Sequence, residues 1–272
     1  MPLAEVSAII PCYRCTDTIA RAVASVDAQT LRPAELILVD DCSGDDTLET
    51  LRAVQQAYGE SWIKIISPDE NVGCGGARNI GWGIATQPYV AFLDADDAWA
   101  PQKIEIQYSW MRNHPDVMYT GHPVSVLDGN NKKPADITGQ PEFERVYARR
   151  LVFFNAFAAA SIIAKRDMPY RYASDGRRRT EDYLLSCQLC LDGNPIYVCT
   201  EKLGALYKPH FGAGGLSQDL WLMEKSELGV YRKLYEEKRL SLLSMLLTQA
   251  WSLLKYIRRI LIVYIFRDKI NQ

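Results

Sequence analysis

Three carboxylates crowd into four positions at Asp94-Ala95-Asp96-Asp97, directly after the apolar run Val90-Ala91-Phe92-Leu93. Like charges at that spacing repel, and a fold seldom gathers them at the end of an apolar strand without a counter-charge. A divalent cation supplies one. All-oxygen donors favour hard ions such as Mg2+ or Mn2+, which normally share their shell with substrate phosphates. The competing role is a solvated acidic turn that caps the helix after Pro101, and this motif alone does not separate the two. A second acidic pair, Asp40-Asp41, runs into Cys42-Ser43-Gly44. Turn and cap chemistry explains such residues well in isolation. An ionised carboxylate is also a pure acceptor, suited to the imide N–H of a uracil. The stretch Asn71-Val72-Gly73-Cys74-Gly75-Gly76 resembles a phosphate cradle, although its glycines match neither the Walker nor the dinucleotide spacing.

The elements that must carry these residues follow from periodicity. Residues 6–10 predict a strand ended by Pro11, and residues 16–29 a helix with Ile19, Ala22, Val23 and Val26 on one face and Thr16 as N-cap. Strands are expected at 35–39, 62–66 and 88–93, with helices at 47–58 and 77–85 and a glycine-rich loop at 71–76. Alternating strands and helices point to right-handed βαβ units and a mainly parallel sheet. Ligands bind such sheets beyond the carboxyl ends of the strands. Pro11-Cys12-Tyr13, Asp40-Asp41, the 71–76 loop and 94–97 all fall there. A single cleft holding these residues and Arg78 suits a base, a ribose and a metal-bridged diphosphate. Further on, 117–127 reads as one or two strands broken at Gly121 and Pro123, and 153–164 as a strand pair or a short helix. Residues 180–191 predict a helix capped by Thr180 with Glu181 and Asp182 in its first turn, where acidic groups suit the dipole. Late strands are expected at 196–199 and 205–207, and helix from Asp219 onwards.

Bulk properties narrow the function. The 272 residues allow one large domain with an appendage, divided here as 1–217 and 218–272. A formal charge of -2 argues against a nucleic-acid partner. Seven scattered cysteines do not form a disulfide framework, and the first residues show no signal-peptide pattern, so a cytoplasmic setting is expected. The pairs Cys12/Cys15 and Cys187/Cys190 have zinc-site spacing, yet small buried cysteines are common in cores.

Four segments occur in order and at suitable distances: Ser7-Ala8-Ile9-Ile10-Pro11-Cys12-Tyr13, Leu38-Val39-Asp40-Asp41-Cys42-Ser43, Asn71-Val72-Gly73 with Ala77-Arg78-Asn79, and Phe92-Leu93-Asp94-Ala95-Asp96-Asp97. Together they resemble glycosyltransferase family 2, inverting enzymes of the GT-A fold. The resemblance is clear over residues 6–99 and continues more weakly to 216. That continuation runs through Thr180-Glu181-Asp182-Tyr183 and Tyr207-Lys208-Pro209-His210 with Leu216-Ser217. Lys208 stands where the family usually has arginine, and 212–215 stretch the later spacing.

The resemblance implies an α/β fold, a mainly parallel but mixed sheet flanked by helices, to which the helical pattern after Asp219 adds a C-terminal helical appendage. It implies a nucleotide-sugar site made of Pro11, Tyr13, Asp41, Gly73, Arg78, Asp94 and Asp96. In that site Asp41 meets the base, Tyr13 packs beside it, Arg78 lies near the base or phosphates, and Asp94 reaches the ribose or diphosphate. Asp96, Asp97 and His210 are the implied ligands of Mn2+ or Mg2+, with Asp182 the implied general base. The metal would stabilise the leaving nucleoside diphosphate, and direct displacement would invert the anomeric carbon. The implied donor is a nucleotide-diphospho-sugar, UDP-linked by resemblance, and the acceptor a saccharide or lipid-linked molecule of cell-surface polysaccharide synthesis. Arg177-Arg178-Arg179 is either a solvated loop or a grip on an anionic acceptor.

Residues 240–266 are strongly apolar, with Ser241, Ser244, Thr248, Ser252, Lys255 and Arg259 forming one narrow polar stripe at helical spacing. Lys255, Arg258 and Arg259 keep the run short of the ~20 uninterrupted apolar residues of a spanning helix. A helix lying in the interface at the inner face of the membrane is expected, its basic face toward anionic headgroups. Packing on the catalytic domain or on a second copy is the competing arrangement, and the sequence leaves the oligomeric state open. Two other classes compete with an active transferase. One is a catalytically silent nucleotide-sugar-binding scaffold of the same fold, which donor turnover would exclude. The other is a nucleotidyltransferase, which would need an early glycine-rich basic loop that residues 11–16 do not provide.

Overall fold

Strand β1 (Leu3–Cys12) is buried on both faces from Val6 onwards, as a central strand of a covered parallel sheet must be. The computed structural model describes residues 3–127, 132–173, 179–207 and 219–270. After β1 come α1 (Ile19–Asp27), β2 (Arg32–Asp40), α2 (Thr47–Tyr58), β3 (Ile63–Ile66), α3 (Gly73–Ile84) and β4 (Tyr89–Phe92). β1 pairs in parallel with β2 and β4, and β2 with β3. The side-chain period of two then sorts the apolar residues. Ile9, Ile37, Val39, Val90 and Phe92 face Trp82 of α3, while Ala8, Ile10, Leu36, Leu38 and Ala91 face Ile19 and Val23 of α1 and Leu51 of α2.

The second half adds β5 (Ala98–Trp99), α4 (Lys103–Asn113), β6 (Tyr119–Gly121), β7 (Val124–Val126), β8 (Phe143–Arg145), α5 (Ala148–Leu151), β9 (Ile163–Lys165), α6 (Glu181–Leu191), β10 (Ile196–Cys199) and β11 (Gly204–Leu206). β9 runs antiparallel to both β4 and β6, and β8 closes the far edge antiparallel to β10. The result is an eight-stranded mixed sheet ordered β3-β2-β1-β4-β9-β6-β10-β8, beside a small sheet β5-β11-β7. This is the mixed α/β architecture expected.

Several local expectations are refined or corrected. Residues 117–127, expected as one or two strands, form two, separated at His122-Pro123 and in different sheets, and a Cβ at Gly121 would stand 2.4 Å from the Phe157 ring. Of the strand pair or short helix expected at 153–164, the structure has a short helix, a 3-10 turn at Ala159–Ser161 that leads into β9. Thr16 is not a cap: the Thr18 and Ile19 amides both donate to the Cys15 carbonyl, at 3.1 and 3.0 Å, so α1 starts later. Thr180 does precede α6, but at φ 61° its hydroxyl donates to the Arg179 carbonyl at 2.6 Å instead of capping. The glycines of 71–76 are not a loop. The helix begins at Gly73, whose φ of 77° suits glycine alone. Cys12, Cys15, Cys187 and Cys190 are buried core thiols, Cys12 donating to the Ile10 carbonyl at 3.4 Å and Cys190 to that of Val146 at 3.4 Å.

Helix α3 lies unusually close to the sheet. A Cβ on Gly81 would fall 2.5 Å from Ile9 Cγ2. Trp82 next to it packs 5.3 Å from the Phe92 ring, fixing the helix height.

The C-terminal part is a hairpin of α7 (Leu220–Glu236) and α8 (Leu242–Ile270). Asp219 caps α7, its carboxylate accepting the Leu222 amide at 2.9 Å. The polar stripe of α8 faces inward, reversing the expected orientation. Thr248 and Ser252 are fully buried, and Glu227 of α7 accepts Lys255 Nζ at 2.6 Å and Arg259 Nη2 at 3.2 Å. Arg259 also lies 3.9 Å from the fully buried Glu224. Glutamates on α7, Glu224 buried and Glu227 half-buried, thus draw the stripe in and turn the leucines out. Among the described residues, no helix is long and apolar enough to cross a membrane.

Candidate active site

The ends of β1 and β2 are laced together. The Asp41 amide donates to the Cys12 carbonyl at 2.8 Å, and the Arg14 amide donates to Ser43 Oγ at 3.1 Å. Pro11 is buried in the strand, whereas Tyr13 stands 49% exposed at the rim with the Arg14 guanidinium 5.3 Å from its ring. Asp40 serves the turn itself, one carboxylate oxygen accepting from the Ser43 amide and hydroxyl and the other from Ser67 Oγ at 3.3 Å.

Asp41 is buried and reaches across to α3. Its Oδ1 accepts the Val72 amide at 2.7 Å, while its backbone carbonyl accepts Asn71 Nδ2 at 2.7 Å. A carboxylate at this helix N-terminus is favoured both by the unsatisfied amides and by the dipole. Gly73 opens the helix at that contact.

One and a half turns later, Arg78 points back into the cleft at 3% exposure. Its Nη2 lies 2.5 Å from Asp94 Oδ1 at the end of β4, and its Nη1 lies 3.5 Å from Glu181 Oε1 at the start of α6. The guanidinium also lies 5.3 Å from the centre of the Tyr172 ring. Asn79 holds that ring in place through two reciprocal bonds, Nδ2 to the Tyr172 carbonyl at 2.9 Å and the Tyr172 amide to Oδ1 at 3.1 Å. α3 is therefore a cross-member that ties the ends of β2 and β4 and the start of α6 into one network. Removing one partner of such a buried ionic cluster typically costs about 3–5 kcal/mol, because the others are left uncompensated.

The acidic turn after β4 closes on itself, the Asp97 amide donating to the Asp94 carbonyl at 3.1 Å. Asp97 is 6% exposed and Asp96 half-buried. Arg21 of α1 donates to the Asp96 carbonyl at 2.6 Å and lies 3.7 Å from the Tyr207 ring centre, pinning this turn to the residue after β11. Asp182 sits half-buried in the first turn of α6, beside Glu181. Burial and the negative charge of Glu181 push its carboxyl up to about 6, against the lowering influence of Arg78. It is ionised at neutral pH yet more basic than an ordinary aspartate.

The structure thus brings Asp41, Gly73, Arg78, Asp94 and Asp182 to one region, with Asp96 and Asp97 on the adjoining turn, Tyr13 at its rim and Pro11 buried at the end of β1. His210 lies outside the described residues, as do Lys208, Leu216, Ser217, Arg177 and Arg178. Among the described residues, no group of three or more His, Cys, Asp or Glu side chains is placed to hold a metal. Asp96 and Asp97 nevertheless offer the hard oxygen donors that suit Mg2+ or Mn2+ with substrate phosphates completing the shell. Sequence reasoning missed Glu181 as a partner of Arg78, Tyr172 beneath it, and Arg21. Asn79, adjacent to Arg78 in its motif, was the available signal for the Tyr172 clamp.

Comparison with known proteins gives a consistent picture. The model for glycosyl transferase family 2 matches residues 7–168. A UDP-Glc:alpha-D-GlcNAc-diphosphoundecaprenol beta-1,3-glucosyltransferase, WfgD of Escherichia coli, is 36% identical over 120 residues, 44% of this chain and 46% of that protein. The amylovoran biosynthesis glycosyltransferase AmsE of Erwinia amylovora is 27% identical over 224 residues, 79% of each chain. With WfgD the chain thus spans less than half of the relative's length. S. aureus TarS 1-349 in complex with UDP-GlcNAc shares the fold at a TM-score of 0.64, with 18% identity over 86% of this chain and 66% of that one. GalNAc-T7 with UDP, GalNAc and Mn2+ does so at 0.62, with 18% identity over 85% and 48%. With a family match over more than half its residues and a GT-A-like fold around the motifs, the chain belongs to glycosyltransferase family 2.

Proposed function

We propose that this protein is an inverting glycosyltransferase. It moves a sugar from a UDP-linked donor to a saccharide or lipid-linked acceptor in the synthesis of cell-surface polysaccharide. The observation that carries this reading is the α3 cross-member, which joins Asp41, Arg78, Asp94 and the start of α6 at the carboxyl ends of parallel strands. The relatives support the substrate classes: WfgD is named for a UDP-glucose donor and a diphosphoundecaprenol acceptor, and TarS was solved with UDP-GlcNAc.

In this reading Asp41 meets the base beside Tyr13, and Arg78 and Asp94 position the ribose and phosphates. Asp96 and Asp97 would hold Mn2+ or Mg2+, with His210 a further ligand. The bound ion supplies charge stabilisation for the departing nucleoside diphosphate. Asp182 takes the proton of the acceptor hydroxyl as its oxygen attacks the anomeric carbon, and its raised basicity suits that task near neutral pH. In the same reading Arg179, which precedes α6, would be the described member of the arginine run that meets an anionic acceptor. Peripheral contact of residues 240–266 with the inner face of the membrane belongs to the same reading, since a lipid-linked acceptor lies there.

The test is a screen of radiolabelled nucleotide-sugars against membrane extracts with Mn2+ or Mg2+, followed by product identification. Transfer that a chelator stops and that Asp97→Asn abolishes is the expected result. Unchanged transfer in chelator removes the metal from the scheme. Nucleotide binding with no donor consumption on any acceptor marks a silent scaffold instead.

A further inference from the structure

The α7–α8 hairpin is built inside out. Its ionic residues close on each other within, while Leu243 (68% exposed), Leu247 (55%), Leu254 (60%), Ile257 (54%) and Leu261 (54%) recur at helical spacing on the outside. Residues 243–261 span about 28 Å of helix at ~1.5 Å per residue. An isolated exposed leucine needs no explanation, but a continuous apolar stripe marks an interaction surface. The stripe is not an accident of weak packing. A chain that needed only a soluble hairpin would turn the leucines in. Here Glu224, buried, and Glu227, half-buried, lie on α7 to hold Lys255 and Arg259 instead.

What covers the stripe is indicated by its border. Phe154, 52% exposed, packs 5.6 Å from Trp251 of α8 and extends the apolar surface toward α5. The Phe154 amide donates to the Arg150 carbonyl at 3.0 Å, which brings Arg149 and Arg150 to the same edge. Both are exposed, as are Arg145 and Arg258, and none of the four forms an ion pair among the described residues. Tyr147, 52% exposed, lies between Arg145 and Arg149, each guanidinium 5.6 Å from its ring centre. An apolar face edged by aromatics and unpaired arginines, on a chain of formal charge -2, is complementary to a bilayer with anionic headgroups.

We propose that the outer leucine face of α8 embeds in the acyl boundary of an anionic membrane while the α5 arginines engage its headgroups. The basic residues that serve the membrane are thus Arg145, Arg149, Arg150 and Arg258, not Lys255 and Arg259. The inference deepens the membrane contact proposed above, but it rests on the geometry of the hairpin and not on sugar transfer.

The full chain should be floated with vesicles of phosphatidylcholine alone and with vesicles also containing phosphatidylglycerol, with donor consumption measured on each preparation in the presence of soluble saccharide acceptors. The parent should bind the anionic vesicles preferentially. Leu247→Asp with Leu254→Asp should weaken binding at least tenfold. Arg149→Glu with Arg150→Glu should weaken binding to anionic vesicles roughly tenfold or more, since basic residues near such a surface are attracted to its headgroups. Donor binding and consumption should be unchanged in both, which separates lost docking from misfolding. Equal binding of parent and variants overturns the proposal, as does indifference to lipid charge. A parent that ignores all vesicles but dimerises through Leu247 and Leu254 also overturns it, in favour of a second copy. Vesicle binding that survives without any donor consumption would leave this docking intact and sink the enzymatic reading.

Discussion

Two regions of this chain bury carboxylates against cations, and they do so to opposite ends. In the strand-end cleft, Arg78 is shared by Asp94 and Glu181 from separate elements, and the Asp94 side chain keeps 32% of its surface in solvent. The network is tight at its base and open at its lip. In the α7–α8 hairpin, Glu227 takes both Lys255 and Arg259 from one neighbouring helix, and the charges close inward. The first arrangement presents polar groups to a ligand, while the second hides them so that apolar groups face out. Buried ion pairs rarely contribute much net stability over well-packed apolar residues, so their presence points to a requirement for geometry.

Four perturbations sharpen that contrast. The largest effect is expected from Asp182→Asn, which removes the proposed base while keeping the Arg78 bonds to Asp94 and Glu181. Sugar transfer should fall by roughly 10²–10⁴ while donor affinity, followed by titration, stays within about twofold. Near-normal transfer would remove Asp182 from its role. Next, Arg78→Met leaves Asp94 and Glu181 facing each other without a cation. Urea unfolding should show a loss of about 3–5 kcal/mol, together with loss of donor binding. Stability within error of the parent would mean that the cleft does not depend on its central cation.

The pH profile comes third. Because the Asp182 carboxyl is raised to about 6, it gains its proton as pH falls through that value and then accepts none from the acceptor. Transfer should drop about tenfold per pH unit below that point and level off above it, and the inflection should vanish in Asp182→Asn. An inflection near an ordinary aspartate value would show that burial beside Glu181 does not govern the group. The smallest effect is expected in the hairpin. Glu227→Gln should cost about 1–3 kcal/mol, read as faster amide exchange across 220–262, with transfer unchanged on a soluble acceptor. A loss of transfer there would couple the two regions and erase the distinction.

The first hundred residues were legible because their signals are local. Alternating apolar runs ended by Pro11, Asp40 and Asp94 place β1, β2 and β4, and α2 falls on the expected residues 47–58. The four motifs likewise mark residues that the fold brings to one region. What stayed hidden depends on partners distant in sequence. Nothing near residue 172 announces that its ring will lie beneath Arg78, because only the meeting of α3 with the β9–α6 connection creates that contact. The glycines after Asn71 looked like a loop, yet packing explains them: a Cβ on Gly75 would stand 3.0 Å from Glu181 Cγ. The stripe on α8 was visible but its direction was not. Glu224 and Glu227, three apart on α7, were the sequence signal that it would turn inward.

Gly81 carries a last implication. With room for barely a hydrogen atom between α3 and Ile9, the floor beneath the helix sets how far Arg78, one turn upstream, can extend toward Asp94. Gly81→Ala would act as a shim, raising the helix and slackening the proposed grip on donor from beneath the cleft. Calibration of the pocket therefore resides in its foundation, and a measured fall in donor affinity with every pocket-lining side chain intact would register it.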